Sequence, residues 1–360
     1  MAGRYTTCSF EGATRGKVHF FYPRAREAFY DHYRDFCQRT MRPRNGLTLQ
    51  EVEGAIYVNR SQHRCLYDRE GNRIEASLLV RYADDPNPEF WKSEPRIENL
   101  RVHDEIDEPV VFRSMFMKHW GHFLLESTAR LWPDVPHPEL SGLPTLYAMA
   151  YGERSIDGRF AQFLDLAGVS LLPPIEPGRR VRLAKCYIPS PTFSLGTFAH
   201  PAHLEAPHRV ARRLMGEPSR DDRPVYLSRT DPELRGHAQR RMRNEIDLET
   251  ALAERGVRIV HMQELSLAEQ IELINAHRVF IGGWGSAFHN LLFSLHGAEI
   301  TTYVLISTWL PRDFVLVDTI VDNQAHYLAV QFKTEGYDET REVDVDVEAT
   351  LFYLHQTGVI

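Results

Sequence analysis

The chain has 360 residues, 43% hydrophobic and 25% charged, which is enough for two α/β-sized domains whose cores need neither disulfide nor metal. Its 49 acidic against 42 basic residues give a net charge of −7, which argues against a general nucleic-acid binder. The four cysteines, Cys8, Cys37, Cys65 and Cys186, form no CxxC pair and fit neither a disulfide framework nor a zinc site.

Met1 to Phe20 carries charges throughout, so no signal peptide is expected, and nowhere do about 18 apolar residues run together to span a membrane. The expectation is a cytoplasmic protein, with peripheral membrane contact left open.

In chain order, the first hundred residues read as strands with turns. Residues 54–59 alternate, and Glu70-Gly71-Asn72 marks a turn between strands over 64–67 and 74–82. A short strand over 110–112 precedes a helix over 119–131 that stops at Pro133. A strand over 143–149, a helix over 159–167, a strand over 181–188 and a helix over 201–215 follow.

Beyond Gly216 the pattern becomes regular. Strands are expected over 225–228, 257–260, 278–281 and 300–306, with helices over 244–255, 266–276 and 286–295 between them. Ile246, Leu248 and Leu252 fall on the inner side of the first helix, and Ser266-Leu267-Ala268-Glu269 is a capping box. Alternating strands and helices with short links specify a parallel, doubly wound sheet. Its strands end near Arg229, His261, Gly282 and Ile306, on the edge where such sheets bind ligands. The expected division is an N-terminal α/β domain over 1–216 with a strand-rich start, a Rossmann-like domain over 217–330, and a tail with a helix over 331–360.

Three constellations carry chemistry. The first is the loop Gly282-Gly283-Trp284-Gly285-Ser286, leading to Asn290. Its small residues let backbone approach a ligand, and amides at a helix start favour an anion. A tight turn that merely needs small residues explains the loop equally well. As a dinucleotide fingerprint it lacks the third glycine, because Phe288 stands there.

The second is Ser228-Arg229 at a strand end, followed by Arg240, Arg241, Arg243, Asn244 and Glu245 at a helix start. Ten arginines against five acids lie between Arg209 and Arg243, and guanidinium matches phosphate in a bidentate fork. Glu245 also suits the first turn of a helix on dipole grounds alone.

The third is Lys118-His119-Trp120-Gly121-His122 with Glu126 and Arg130. On a helix His122, Glu126 and Arg130 fall on one polar stripe among apolar neighbours. Either a buried Glu126–Arg130 pair accounts for it, or His122 or Glu126 is a general base. No HExxH occurs, and Asp344-Val345-Asp346 reads as a half-exposed strand or a helix cap, so no metal site is expected.

In this order the constellations resemble glycosyltransferase family 61. That family includes eukaryotic protein-O-linked N-acetylglucosaminyltransferases, plant xylosyl- and arabinosyltransferases, and bacterial enzymes of surface-polysaccharide synthesis. Its pattern has His followed four residues later by an acid (His122, Glu126), then Ser-Arg before an Arg-rich run ending in Asn-Glu (Ser228, Arg229, Arg240, Asn244, Glu245). A Leu-Ser-x-x-Glu-Gln helix follows over 265–270, and then a loop leading to Asn-x-x-Phe (Gly285, Ser286, Asn290, Phe293). Trp284 stands where the family usually has His, and Thr302 where it often has Glu; both positions are expected to face the donor site.

The resemblance implies two Rossmann-like domains in a GT-B-like arrangement and an inverting, metal-independent transfer with no cofactor. The sugar would pass from a nucleotide sugar, a UDP-sugar, to a carbohydrate or other hydroxyl acceptor. It implies Arg229, Arg240, Arg241, Glu245, Gly285, Ser286 and Asn290 on the donor, and His122 or Glu126 as base on the acceptor side, facing the donor across the cleft. The alternative is a non-catalytic nucleotide- or glycan-binding protein that kept the fold.

Overall fold

The computed structural model describes residues 5–11, 17–23, 46–59, 65–81, 89–90, 94–98, 101–134, 136–150, 155–216, 219–230, 241–307, 312–332 and 342–360. The chain divides into two compact units. One comprises Met1–Arg42 with Leu214–Ile360, and the other comprises Pro43–Arg213.

The first unit is built on a seven-stranded sheet. Its order is Tyr5–Glu11, Lys17–Pro23, Gln324–Leu328, Thr301–Leu305, Val279–Gly283, Val225–Leu227, Arg258–Val260. All neighbours pair in parallel except Tyr5–Glu11, which runs antiparallel along the edge. Taking the five C-terminal strands alone, their spatial order is 2-1-3-4-5, a doubly wound arrangement whose winding reverses between the first and third strands. Those two strands, Val225–Leu227 and Val279–Gly283, pair directly, Leu227 opposite Gly282.

The crossovers are the helices Glu245–Ala253, Leu267–Ala276 and Arg312–Val321 and the tighter Ser286–Phe293, which is 3₁₀ rather than the expected α-helix. The Ser266 capping box forms as expected, with the Ser266 hydroxyl accepting from the Glu269 N–H and the Glu269 carboxylate taking the Ser266 N–H. Ile246 is a correction: it is 57% exposed, while Leu248 and Leu252 are buried in the core beside Tyr226 and Ile281.

The expected N-terminal domain over 1–216 is split by this partition. Val18, Phe20 and Phe21 from Lys17–Pro23 are buried against the C-terminal sheet, because that strand supplies the parallel neighbour of Gln324–Leu328. The tail is likewise integral. Glu342–Val345 pairs with Arg241–Met242 and Gln331–Phe332, and Val343, Val345, Ala349, Tyr353 and Leu354 join the same core. Both readings of the Asp-Val-Asp segment hold. Asp344 sits on that strand and bonds Arg243, and Asp346 caps Val347–Gln356 by accepting from the Ala349 N–H.

The second unit carries a mixed sheet in the order Leu66–Tyr67, Leu49–Val58, Arg180–Pro189, Val110–Phe116, Thr145–Met149. Arg180–Pro189 pairs antiparallel with Leu49–Val58 but parallel with Val110–Phe116. A Rossmann-like sheet is mostly parallel, whereas Arg180–Pro189, in the middle of this one, has both an antiparallel and a parallel neighbour. One face is filled by Tyr57, Phe112, Leu146 and Leu183, all buried. Helices Gly158–Leu166 and Glu205–Leu214 complete the unit. Among the described residues no helix is long and apolar enough to cross a membrane, and no group of three or more His, Cys, Asp or Glu is placed to hold a metal ion. Cys65 and Cys186 are buried.

Candidate functional site

In the first unit the chain leaves Leu227 at the carboxyl edge of the sheet, next to the point where strand order reverses. The turn that follows is held from below by Glu245–Ala253. Glu245 takes a hydrogen bond from the Tyr226 hydroxyl (3.0 Å) and another from the backbone N–H of Arg229 (3.1 Å). One turn further along, Glu249 accepts from the hydroxyls of Ser228 and Thr230 (2.5 and 3.3 Å). Two carboxylates therefore grip three consecutive residues, Ser228, Arg229 and Thr230, and fix where the guanidinium of Arg229 goes.

That guanidinium lies along the neighbouring strand end. A Cβ placed on Gly285 would stand 3.6 Å from Arg229 Nη1, so the side chain covers the glycine backbone at van der Waals range. Gly285 has no special backbone requirement, with φ near −178°. At that distance a Cβ would make ordinary contact, so the arginine alone does not demand a glycine here. Gly285 is also the N-cap of Ser286–Phe293 and offers no side chain of its own to the first-turn amides. Ser286 and Ala287 are half-buried at this opening. Arg229, Gly285 and Ser286 are thus brought together at the switch point.

Electrostatically the pair is unusual. Burial lowers the pKa of Arg229, with Glu245 and Tyr226 pulling the other way. Burial raises Glu245 to about 7, against the bonds from the Arg229 N–H and the Tyr226 hydroxyl.

The remaining expected donor residues divide. Arg240 lies outside the described residues, and of Arg241 only the backbone, in the short strand Arg241–Met242, is described. Asn244 clamps the tail, its amide exchanging two hydrogen bonds of 2.9 Å with the backbone of Val345. Asn290 is buried and donates to the Ala287 carbonyl, so it shapes the 3₁₀ turn.

Trp284 is buried, and its ring meets Phe314 edge-on. Thr302 is a correction to the expected donor-facing position. It is the second residue of Thr301–Leu305, far from the strand's carboxyl end, wholly buried, and accepts a bond from Asn323.

In the second unit the expected α-helix over 119–131 begins as one, Trp120–His122, and then widens into a π-helix, Phe123–Ser127. The Thr128 N–H reaches back to the Phe123 carbonyl at 3.1 Å. The Leu124 carbonyl is instead taken by the Thr128 hydroxyl and by His203 Nε2, and the Ser127 hydroxyl accepts from the Met117 N–H. Such local widening is frequent at functional sites.

Within it His122 Nδ1 and Glu126 Oε2 are 2.7 Å apart. Arg130 is a second correction. It does not pair with Glu126 but donates to the carbonyls of Ala76, Leu78 and Pro189. Glu126 is held by Arg81, Nε on Oε1 at 2.7 Å and Nη2 on Oε2 at 2.8 Å. No spacing argument could have found Arg81, which lies 45 residues upstream. The Glu126 side chain is 1% exposed and that of His122 35% exposed, so only the histidine can meet a solute.

The first unit's doubly wound sheet, with Arg229 and the first-turn amides of Ser286–Phe293 at its carboxyl edge, is an arrangement that binds ligands in α/β proteins. The family model for Glycosyltransferase 61 matches residues 120–303, just over half of the chain, and the protein belongs to that glycosyltransferase family. No curated protein matches the chain.

Proposed function

We infer that this glycosyltransferase is inverting and metal-independent, and that it moves a sugar from a UDP-sugar to a hydroxyl of a carbohydrate or other acceptor. The carrying observation is Arg229 laid along Gly285 at the carboxyl edge where the first unit's strand order reverses. A departing nucleoside diphosphate gains negative charge as the anomeric bond breaks. Arg229 and the amides opening Ser286–Phe293 are the donors that would stabilise it, with Arg240 and Arg241 as further cations.

On the acceptor side His122 is the general base. With Nδ1–H donated to Glu126, its Nε2 carries the lone pair that takes the hydroxyl proton. Glu126, saturated by Arg81 and His122 and shut off from solvent, orients the imidazole and stabilises the imidazolium.

Kinetics of two variants separate these roles. Arg229→Ala is expected to lose about a hundredfold or more in kcat/KM, with weakened donor binding, because phosphate charge is present in both ground and transition states. His122→Ala is expected to lower kcat by about 10²-fold or more while donor affinity stays near wild type. Wild-type kinetics in the first removes Arg229 from the site, and wild-type kcat in the second removes His122 as base.

A further inference from the structure

The Glu126 carboxylate carries a second partner that orienting a histidine does not require. A buried carboxylate beside an imidazole favours the protonated ring, and a cation on the carboxylate opposes that bias. Arg81, from the strand Val80–Arg81, supplies the balancing charge. Its fork closes on both carboxylate oxygens, and its Nη2 also lies 3.6 Å from Met117 Sδ. Oε2 is shared between Arg81 Nη2 (2.8 Å) and His122 Nδ1 (2.7 Å), so the grip of one donor bears directly on the other.

We propose that Arg81 is a positioning residue which sets both the proton affinity and the tilt of His122 through Glu126. The three residues act as one charge-balanced relay in which only His122 exchanges a proton with the acceptor hydroxyl. The three residues come from the strand Val80–Arg81, the turn Trp120–His122 and the π-helix Phe123–Ser127, all in the same unit.

Several other charged and titratable groups lie near the relay. The His119 ring lies 5.0 Å from that of His122 on the same turn. Lys118 is ion-paired with Asp157 at 2.7 Å, and Arg159 lies over the Trp120 ring at 5.5 Å. His203 is buried against the Leu124 carbonyl and the Thr192 hydroxyl, and Arg130 is spent on backbone carbonyls. Among the described residues only Arg81 and His122 bond the Glu126 carboxylate. A guanidinium fork fixes the carboxylate plane as well as its charge, whereas a lysine ammonium supplies charge from one point.

The catalytic part of this inference rests on His122 being the base; the coupling of Arg81 to His122 does not. Two readouts keep them apart: the NMR titration of the His122 ring, which needs no turnover, and the pH dependence of kcat. In Arg81→Gln the midpoint of proton uptake by the Glu126–His122 pair should rise by about one pH unit, recorded by the His122 resonance whichever partner holds the proton. The acid limb of kcat should move upward with it.

Arg81→Lys, which keeps the charge and the fold, should leave the midpoint close to wild type. It should lower kcat about tenfold, because the fork is lost, with donor KM unchanged. An unmoved midpoint in Arg81→Gln, or wild-type kcat in Arg81→Lys, overturns the proposal. A moved midpoint with an unmoved rate profile upholds the coupling and instead contradicts His122 as base.

Discussion

His326 lies between two rings, stacked on His19 at 4.3 Å and on Tyr303 at 4.4 Å, with Nδ1 hydrogen-bonded to the Tyr353 hydroxyl at 2.9 Å. Burial, then the facing His19, lowers its pKa from 6.5 to about 3. A histidine depressed in this way binds a proton more readily once unfolded. Its contribution is therefore complete above 6.5 and is lost as pH falls toward about 3, at about 1.4 kcal/mol per unit.

Asp318, raised by burial to about 6, runs the other way between 3.8 and 6, so the clean test is a difference between variants. His326→Gln should lose less stability than wild type when urea unfolding is followed downward from pH 6.5. Parallel pH curves for the two proteins would show that His326 keeps its proton equilibrium on folding. The residue-scale chemistry of Glu126 was only half legible in sequence. The i, i+4 spacing does bring His122 and Glu126 together, but of the cations it offers Arg130 alone, because a partner from a distant strand leaves no local signal.

At the scale of elements, Gly297 shows where backbone closeness rather than flexibility dictates a residue. A Cβ there would stand 2.0 Å from the carbonyl oxygen of Val321, at the end of Arg312–Val321. Gly297→Ala must push the short 3₁₀ turn Gly297–Glu299 away from that helix, and a loss of about 1–3 kcal/mol or more is expected, seen as a lower urea midpoint with unchanged m-value. An unchanged midpoint would mean that the turn and helix do not meet so closely.

The strands from 225 onward were readable because each is a short apolar run set between helical segments, one of them opened by the Ser266 capping box. Two helix types were not. Ser286–Phe293 winds as 3₁₀ and Phe123–Ser127 as π, and both differ from α in hydrogen-bond partners that side-chain periodicity does not reveal. Ile246 was misplaced for a related reason. It sits on the first turn of its helix, where an apolar residue two positions from Leu248 falls on another face.

For the molecule as a whole, the doubly wound sheet and the carboxyl edge its strands share followed from alternation of elements, and the family followed from the order of the three constellations. The partition into units did not. Lys17–Pro23 pairs with Gln324–Leu328, and Val345 meets Asn244, contacts between segments too far apart in sequence for patterning to report. On the proposed function, leaving-group charge is handled at Arg229, Gly285 and Ser286 and proton removal at His122.

The most direct test follows a panel of UDP-sugars by ¹H NMR with the protein in EDTA, using water or a simple sugar alcohol as acceptor, and reads released UDP and the anomeric signal first formed. The account predicts UDP release undiminished by the chelator, with the new anomer of opposite configuration to the donor. Donor binding without release, loss of turnover in EDTA, or a product that keeps the donor's configuration would contradict it.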